Sequence, residues 1–218
     1  MLGSIDPPAA LGATLASRVH GVPALQAALD SYRGVLPRPR LEPAWPLPDQ
    51  PDLAQLATPT GHTGGVWGCA FSPTGILLAT TSGDGTVRLW RVRDGTQQAV
   101  LTGHTGGVWG CAFSPDGALL ATASDDRTVR LWQVSDGTEH AILTGHESWV
   151  EWCAFSPDGT LLATASNDQT VRVWQVASGR CHCALRLASP VVGISWHPEA
   201  TTLCTVGGAG IYLLNYLP

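Results

Sequence analysis

Short apolar runs separated by turn residues fill the chain from residue 61 to residue 186. Runs such as Cys-Ala-Phe, Leu-Leu-Ala-Thr and Val-Arg-Leu-Trp alternate with Pro-Asp-Gly, Asp-Gly and Ser-Gly turns. Short runs of this kind, bounded by such turns, are typical of β-strands. The apolar residues show no helical period of about 3.6 residues here. The pattern therefore predicts an all-β domain.

The predicted strands recur at a constant spacing along the chain. Gly-His pairs begin three consecutive segments, 61–102, 103–144 and 145–186, and the first two segments are identical at 32 of 42 positions. Each segment contains four predicted strands. Residues 187–218 keep apolar strand positions but lose the Gly-His start. We therefore predict three complete structural repeats and a fourth, degenerate repeat of three strands.

The three segments resemble the WD40 (β-transducin-like) repeat, which has Gly-His near its start, Trp-Asp near its end and roughly 40 to 45 residues per unit. The resemblance implies a partial or small β-propeller, in which four-stranded blades are arranged around a channel. One departure is that Trp90, Trp132 and Trp174 are followed by Arg or Gln rather than Asp.

The same resemblance implies a hydrogen-bonded group of His, Ser, Asp and Trp in each blade. We expect the Asp to accept from the imidazole, the imidazole to be tied to the Ser hydroxyl, and that hydroxyl to meet the indole N–H, because buried polar groups need partners. The predicted members are His62, Ser82, Asp84, Trp90, His104, Ser124, Asp126, Trp132, His146, Ser166, Asp168 and Trp174. The aligned positions of the degenerate repeat hold Ala188, Gly207, Ala209 and Asn215.

A cluster of Ser, His and Asp is also compatible with the catalytic triad of a hydrolase. A catalytic site has no reason to recur in every structural repeat, so we favour a packing role and expect no enzyme activity. The chain contains no lysine, which excludes a Walker-type phosphate loop and Schiff-base chemistry. Cys181, His182 and Cys183 lack a second ligand pair at metal-site spacing. We expect neither a cofactor nor a metal.

Residues 1–51 are predicted to form a separate arm, and residues 52–218 the propeller blades. Apolar spacing from Pro23 onward predicts a short helix, residues 9–19 a weaker one, and the prolines from Pro37 to Pro51 an extended linker. This arm resembles the junction before propellers in bacterial signalling ATPases of the nucleotide-binding, apoptosis-ATPase (STAND) type. Residues 52–58 are predicted to add an outer strand that closes the last blade.

The net charge of −5 and the scattered arginines give no basic patch for phosphate backbones, so nucleic acid is not an expected partner. No apolar run reaches the length of a membrane-spanning helix, and no membrane association is expected. We predict a cytoplasmic protein. The composition, rich in Ala, Gly and Arg, favours a bacterial source.

Positions that break the repeat are the candidate binding residues. By resemblance to the family, they surround one opening of the propeller, where large aromatic side chains are typical binding hot spots. They are Trp67, Gly83, Trp109, Asp125, Trp149, Glu151 and Asn167. A packing role for the tryptophans is the alternative.

We predict a non-catalytic scaffold that binds a protein or peptide partner. The alternative is the sensor part of a larger bacterial signalling ATPase. About four blades leave the first and last blades uncovered unless residues 52–58 close the ring, which predicts arc-to-arc pairing with a second copy or with a partner's blades.

Overall fold

The structure is a computed structural model that describes residues 60–199 and 201–217. The chain divides into two compact units, Met1–Thr60 and Gly61–Pro218, and all the strands below belong to the second. The predicted helices, the proline-rich linker, the strand at 52–58 and the predicted boundary after residue 51 lie outside the described residues.

Within residues 60–199 and 201–217, fifteen strands form four antiparallel sheets. The first sheet contains β1 (Val66–Phe71), β2 (Leu77–Ser82), β3 (Val87–Arg91) and β4 (Gln97–Leu101). The second contains β5 (Val108–Phe113), β6 (Leu119–Ser124), β7 (Val129–Gln133) and β8 (Glu139–Leu143). The third contains β9 (Val150–Phe155), β10 (Leu161–Ser166), β11 (Thr170–Gln175) and β12 (Cys181–Arg186). The fourth contains β13 (Val191–Trp196), β14 (Thr202–Gly207) and β15 (Gly210–Asn215).

Each sheet is a simple meander whose strands are neighbours in sequence order. The turns are those that the sequence predicts. Between β5 and β6, for example, Gly117 has a φ of 73° and its N–H donates to the carbonyl of Ser114, a conformation that glycine adopts without strain. The described residues contain no helix, and the predicted all-β architecture of propeller-like blades is confirmed.

The four sheets pack in sequence order through their innermost strands, β1 against β5, β5 against β9, and β9 against β13. Each junction encloses a hydrophobic core built from two sheets. The core between the second and third sheets, for example, joins Val129 and Leu131 of β7 to Val150 and Cys153 of β9. Burial between blades, rather than within one blade, therefore stabilises the fold.

The fourth sheet has three strands, as predicted for the degenerate repeat, but its turn is one residue shorter. Leu203 pairs with Leu214, whereas Leu78 pairs with Trp90. Leu214 therefore occupies the position that tryptophan holds in the three complete repeats. The prediction that Asn215 occupies this position is wrong. Leu214 packs against the core between the third and fourth sheets.

The three cysteines at equivalent repeat positions differ in burial. Cys111 and Cys153 are buried, as expected, but Cys69 is exposed. The reason is positional: Cys111 and Cys153 are covered by the preceding sheet, and no sheet precedes β1 among the described residues. All six cysteines are free thiols.

Candidate functional site

A polar relay joins four residues in each complete blade. The histidine Nδ1 contacts the aspartate Oδ2, the histidine Nε2 contacts a threonine Oγ1, and the tryptophan Nε1 donates to the same Oγ1. In the second blade these distances are 2.8 Å each, for His104 with Asp126, His104 with Thr122, and Trp132 with Thr122. The corresponding groups are His62, Asp84, Thr80 and Trp90 in the first blade, and His146, Asp168, Thr164 and Trp174 in the third.

The hydroxyl that links imidazole and indole therefore belongs to a threonine, and the predicted role of Ser82, Ser124 and Ser166 is corrected. Each serine lies two residues later and serves the turn instead. Ser124 Oγ accepts from the backbone N–H of Asp126 at 3.1 Å and donates to the carbonyl of Gly107 at 2.8 Å. Threonine and serine lie on the same face of the strand because they are two residues apart.

The donors in the relay follow from its chemistry. An indole N–H can only donate, so the threonine oxygen accepts a hydrogen bond from it. The threonine O–H then donates a hydrogen bond to histidine Nε2. Nδ1 then carries the proton and donates to the carboxylate. The sequence signal for the threonine is its presence in all three Leu-Leu-Ala-Thr runs.

The carboxylates in the relay are held in their charged form. Burial alone would raise the pKa of Asp168, but hydrogen bonds from Thr170, from the backbone N–H of Glu147 and from His146 lower it to about 2. The same balance sets the pKa of Asp84 and Asp126 well below the ordinary value. Burial lowers the pKa of His146, opposed by Asp168.

We expect the protein to lose stability on acidification in two stages. His146 takes up a proton more readily when unfolded, so stability falls as the pH drops below about 6.5, the ordinary pKa of histidine. The three aspartates also bind protons more readily when unfolded, so a second loss follows below about pH 4. Denaturant midpoints measured from pH 8 to pH 3 test this. A midpoint that rises on acidification would contradict the burial of His146 and the hydrogen bonds to the three aspartates.

The serines do not have the geometry of a hydrolase nucleophile. Ser82, Ser124 and Ser166 have no exposed surface, and none contacts an imidazole, since histidine Nε2 meets threonine instead. A nucleophilic serine needs a hydrogen bond to its base and access to a substrate. The imidazole, threonine, carboxylate and indole groups instead pair one another within the blade.

The seven candidate binding residues occupy three positions of the repeat. Trp67, Trp109 and Glu151 lie at β-bulges, where β1, β5 and β9 each contain one extra residue relative to the neighbouring strand. A bulge redirects a side chain out of the regular alternation. These three side chains therefore do not follow the alternation that directs side chains into the core between the sheets.

The other two positions are a residue in the loop before the innermost strand and a residue in the turn between the second and third strands, and a backbone hydrogen bond joins them. The N–H groups of Gly83, Asp125 and Asn167 donate to the carbonyls of Gly65, Gly107 and Trp149, respectively, at 2.9, 3.0 and 2.9 Å. These bonds place the predicted binding residues of each blade around one small segment of backbone. The equivalent bond in the fourth sheet joins Gly208 to Pro190.

Three tryptophans from successive blades form a stack at this end of the sheets. The rings of Trp67 and Trp109 are 4.1 Å apart and inclined by 17°, and those of Trp109 and Trp149 are 6.1 Å apart and inclined by 22°. Trp67 is 46% exposed and Trp149 48% exposed, while Trp109 between them is half-buried. We call these three residues the tryptophan stack.

Glycines make room for the stack. A Cβ added at Gly83 would lie 2.8 Å from the ring of Trp67, and one added at Gly107 would lie 2.7 Å from it, so any larger residue at either position would displace the ring. Trp149 occupies the repeat position of Gly107, one blade further on. The stack thus depends on departures from the repeat, which sequence comparison between blades reveals.

One carboxylate lies beside the stack, and a second lies in the next blade. Both Asp125 Oδ2 and the ring of Trp67 approach the position of a Cβ at Gly107. Glu151 Oε1 accepts from Asn167 Nδ2 at 2.6 Å. Burial raises the pKa of Glu151, which the Asn167 bond opposes and the negative charge of Asp125 reinforces. The two carboxylates thus belong to adjacent blades, Asp125 near Trp67 and Glu151 beside Asn167.

Comparison with known proteins returns relatives that share short segments. The chain is 51% identical over 41 residues to eukaryotic translation initiation factor 3 subunit I of Neosartorya fischeri, covering 19% of this chain and 12% of the relative. The same subunit of Aspergillus oryzae matches equally. Human striatin-4 is 63% identical over 30 residues, covering 14% of this chain and 4% of the relative. The chain thus spans a small part of these proteins.

These relatives are eukaryotic, so they do not support the predicted bacterial source or the signalling-ATPase alternative. No helix in the described part of the chain has the length and hydropathy needed to cross a membrane.

The model of the WD40 family, described as WD domain, G-beta repeat, matches residues 53–91, 95–133 and 137–175. These segments make up more than half of the chain, and they contain the three polar relays and the tryptophan stack. The chain therefore belongs to the WD40 repeat family.

Proposed function

We propose that this protein is a non-catalytic scaffold that binds a protein or peptide partner through the tryptophan stack. The observation that carries the proposal is the exposure of Trp67 and Trp149, each nearly half accessible. Membership of the WD40 family and the likeness to subunits of larger assemblies support protein partners in general.

The area that a partner would bury on these exposed rings explains why the stack suits a binding surface. An indole covers a large apolar area with few rotatable bonds, and tryptophan is among the residues most enriched at binding hot spots. Trp109 already supports the two outer rings through stacking. The surface is therefore preorganised, which lowers the entropic cost of binding.

The experiment first identifies a protein that the wild-type chain captures and confirms that the two purified proteins bind each other directly. It then compares the affinity of the wild-type chain for that protein with the affinities of Trp67→Ala and Trp149→Ala. We expect each variant to lose about 2 kcal/mol of binding free energy, roughly thirtyfold in affinity, with cooperative unfolding retained. Ile142→Ala is the matched control, because Ile142 is exposed on the outer strand β8.

Unchanged affinity together with a collapsed melting transition would show that these tryptophans belong to the core. Loss of a core tryptophan would instead lower the stability by about 3 to 5 kcal/mol.

We also propose that a second copy of the chain is one of its partners. The supporting observation is a contrast between equivalent positions. Val129 and Leu131 have no exposed surface, whereas Ile211 and Leu213, at the same register positions of the fourth sheet, are each 74% exposed.

The opposite face of the first sheet shows the same contrast. Val66 is 54% exposed, whereas Val108 and Val150 at the equivalent positions have no exposed surface. Phe71 is 62% exposed, whereas its equivalent Phe155 is 9% exposed. The two end faces thus have the residues of the two halves of a blade junction, and apolar faces of this kind favour association.

Light scattering on the full chain tests this pairing. We expect a dimer at micromolar concentration and a monomer for Leu213→Asp, since a charge on the end face would have to be desolvated. Leu217→Asp is the control, because Leu217 is 85% exposed and follows β15. A monomeric wild type that binds no hydrophobic dye would favour closure by residues 52–58, most of which lie within the first family match, residues 53–91.

We place this activity in the cytoplasm. The six free thiols fit a reducing compartment, and the net charge of −5 fits a partner other than nucleic acid.

A further inference from the structure

The loops around the tryptophan stack are acidic. They contain the acids Asp84, Asp125, Asp126, Glu147 and Asp168, and Glu151 follows directly in β9, while Arg127 is their one arginine. The relay aspartates are charged because hydrogen bonds lower their pKa. Like charges gathered on one surface create a field that attracts a cation.

Asp125 and Glu151 are carboxylates without a cationic partner among the residues that the structure describes. Within residues 60–199 and 201–217, neither carboxylate takes part in an ion pair, in contrast to Glu139, which pairs with Arg130. Both are partly buried, so part of their hydration is already lost. A cation bound near either carboxylate would compensate its negative charge.

The rings and the carboxylates present complementary surfaces for one kind of group. The face of an indole attracts a cation through its quadrupole, and the stack exposes ring surface at Trp67 and Trp149. A guanidinium can stack its flat face on an aromatic ring and direct its N–H groups to a carboxylate at the same time. An ammonium group offers only a point charge.

We propose that the partner segment bound at the tryptophan stack contains arginine, whose guanidinium lies on an exposed indole face and donates to Asp125 and Glu151. This inference rests on the proposed function and names the chemistry of the partner. It assigns Asp125 and Glu151 as the residues that select a basic segment and the tryptophans as the residues that supply the contact area.

Calorimetry with short blocked peptides tests this recognition. The probe is acetyl-Gly-Arg-Gly-Arg-Gly-amide, and the controls replace arginine by lysine or by citrulline, which is neutral but has nearly the same shape. We expect the arginine peptide to bind several-fold more tightly than the lysine peptide, the citrulline peptide to bind least, and the affinity to fall as salt is added.

The double variant Asp125→Asn, Glu151→Gln should weaken the arginine peptide about tenfold or more, as expected for charge-assisted hydrogen bonds. Its matched control is Glu199→Gln, in the turn between β13 and β14, which should bind normally. Equal binding of the arginine and citrulline peptides, or no binding of either, would overturn the inference.

Failure of this inference is distinguishable from failure of the proposed function. If a captured partner is weakened by Trp67→Ala but not by the double carboxylate variant, the tryptophan stack is a binding surface and its partner is not basic. If neither set of variants weakens the partner, both proposals are wrong.

Discussion

Leu131→Ala is expected to lower the free energy of unfolding by about 3 to 5 kcal/mol, because it leaves a cavity in the core between the second and third sheets. Leu131 has no exposed surface and contacts both sheets. Leu213→Ala, the same substitution at the equivalent register position, should change stability by less than about 0.5 kcal/mol in the monomer, because Leu213 is already exposed to solvent.

Denaturant midpoints at a dilute concentration, where light scattering shows a monomer, provide the measurement. Both side chains lie on the third strand of their sheet, but Leu131 has an outer strand beside it and a following sheet, and Leu213 has neither within the described residues. A large loss for Leu213→Ala in a monomer would mean that another part of the chain covers the end face.

Thr122→Val should lower the stability by about 2 to 3 kcal/mol, because it leaves two buried groups without a partner. The indole N–H of Trp132 loses its acceptor, and Nε2 of His104 loses its donor. Valine has nearly the same shape as threonine, so the loss reports the hydroxyl rather than a cavity.

Thr138→Val is the matched control in the same blade. Thr138 is exposed in a turn, where its hydroxyl donates to Asp136, and its replacement should change the midpoint little. Equal shifts for the two variants would show that the relay does not contribute to stability. The indole N–H signal of Trp132 in an NMR spectrum would report loss of the hydrogen bond directly.

Much of the architecture follows from local signals. The strands are marked by apolar runs and by turns with glycine at positive φ, such as Gly117, and these signals act over a few residues. The number of blades follows from counting repeats. Even the three-stranded fourth sheet follows from its surviving apolar positions, although no local signal marks the shortened turn that puts Leu214 in place of tryptophan.

The polar relay shows where local signals end. Thr122 and Ser124 lie on the same face of β6, because a strand alternates with a period of two, and both are invariant among the three copies. The distance from the imidazole decides between them. That distance depends on how the loop carrying His104 crosses the strand, which is a tertiary property.

The sequence by itself determined the strands, the repeat and the residues that depart from it, because these depend on side-chain type and spacing along one chain. Only the tertiary structure decided that Trp67, Trp109 and Trp149 stack on one another, since their contacts join three different blades across bulges. It also decided that Cys69 and Leu213 are exposed while their equivalents are buried. Identical residues in a repeat have identical local preferences, but burial depends on whether a neighbouring blade covers them.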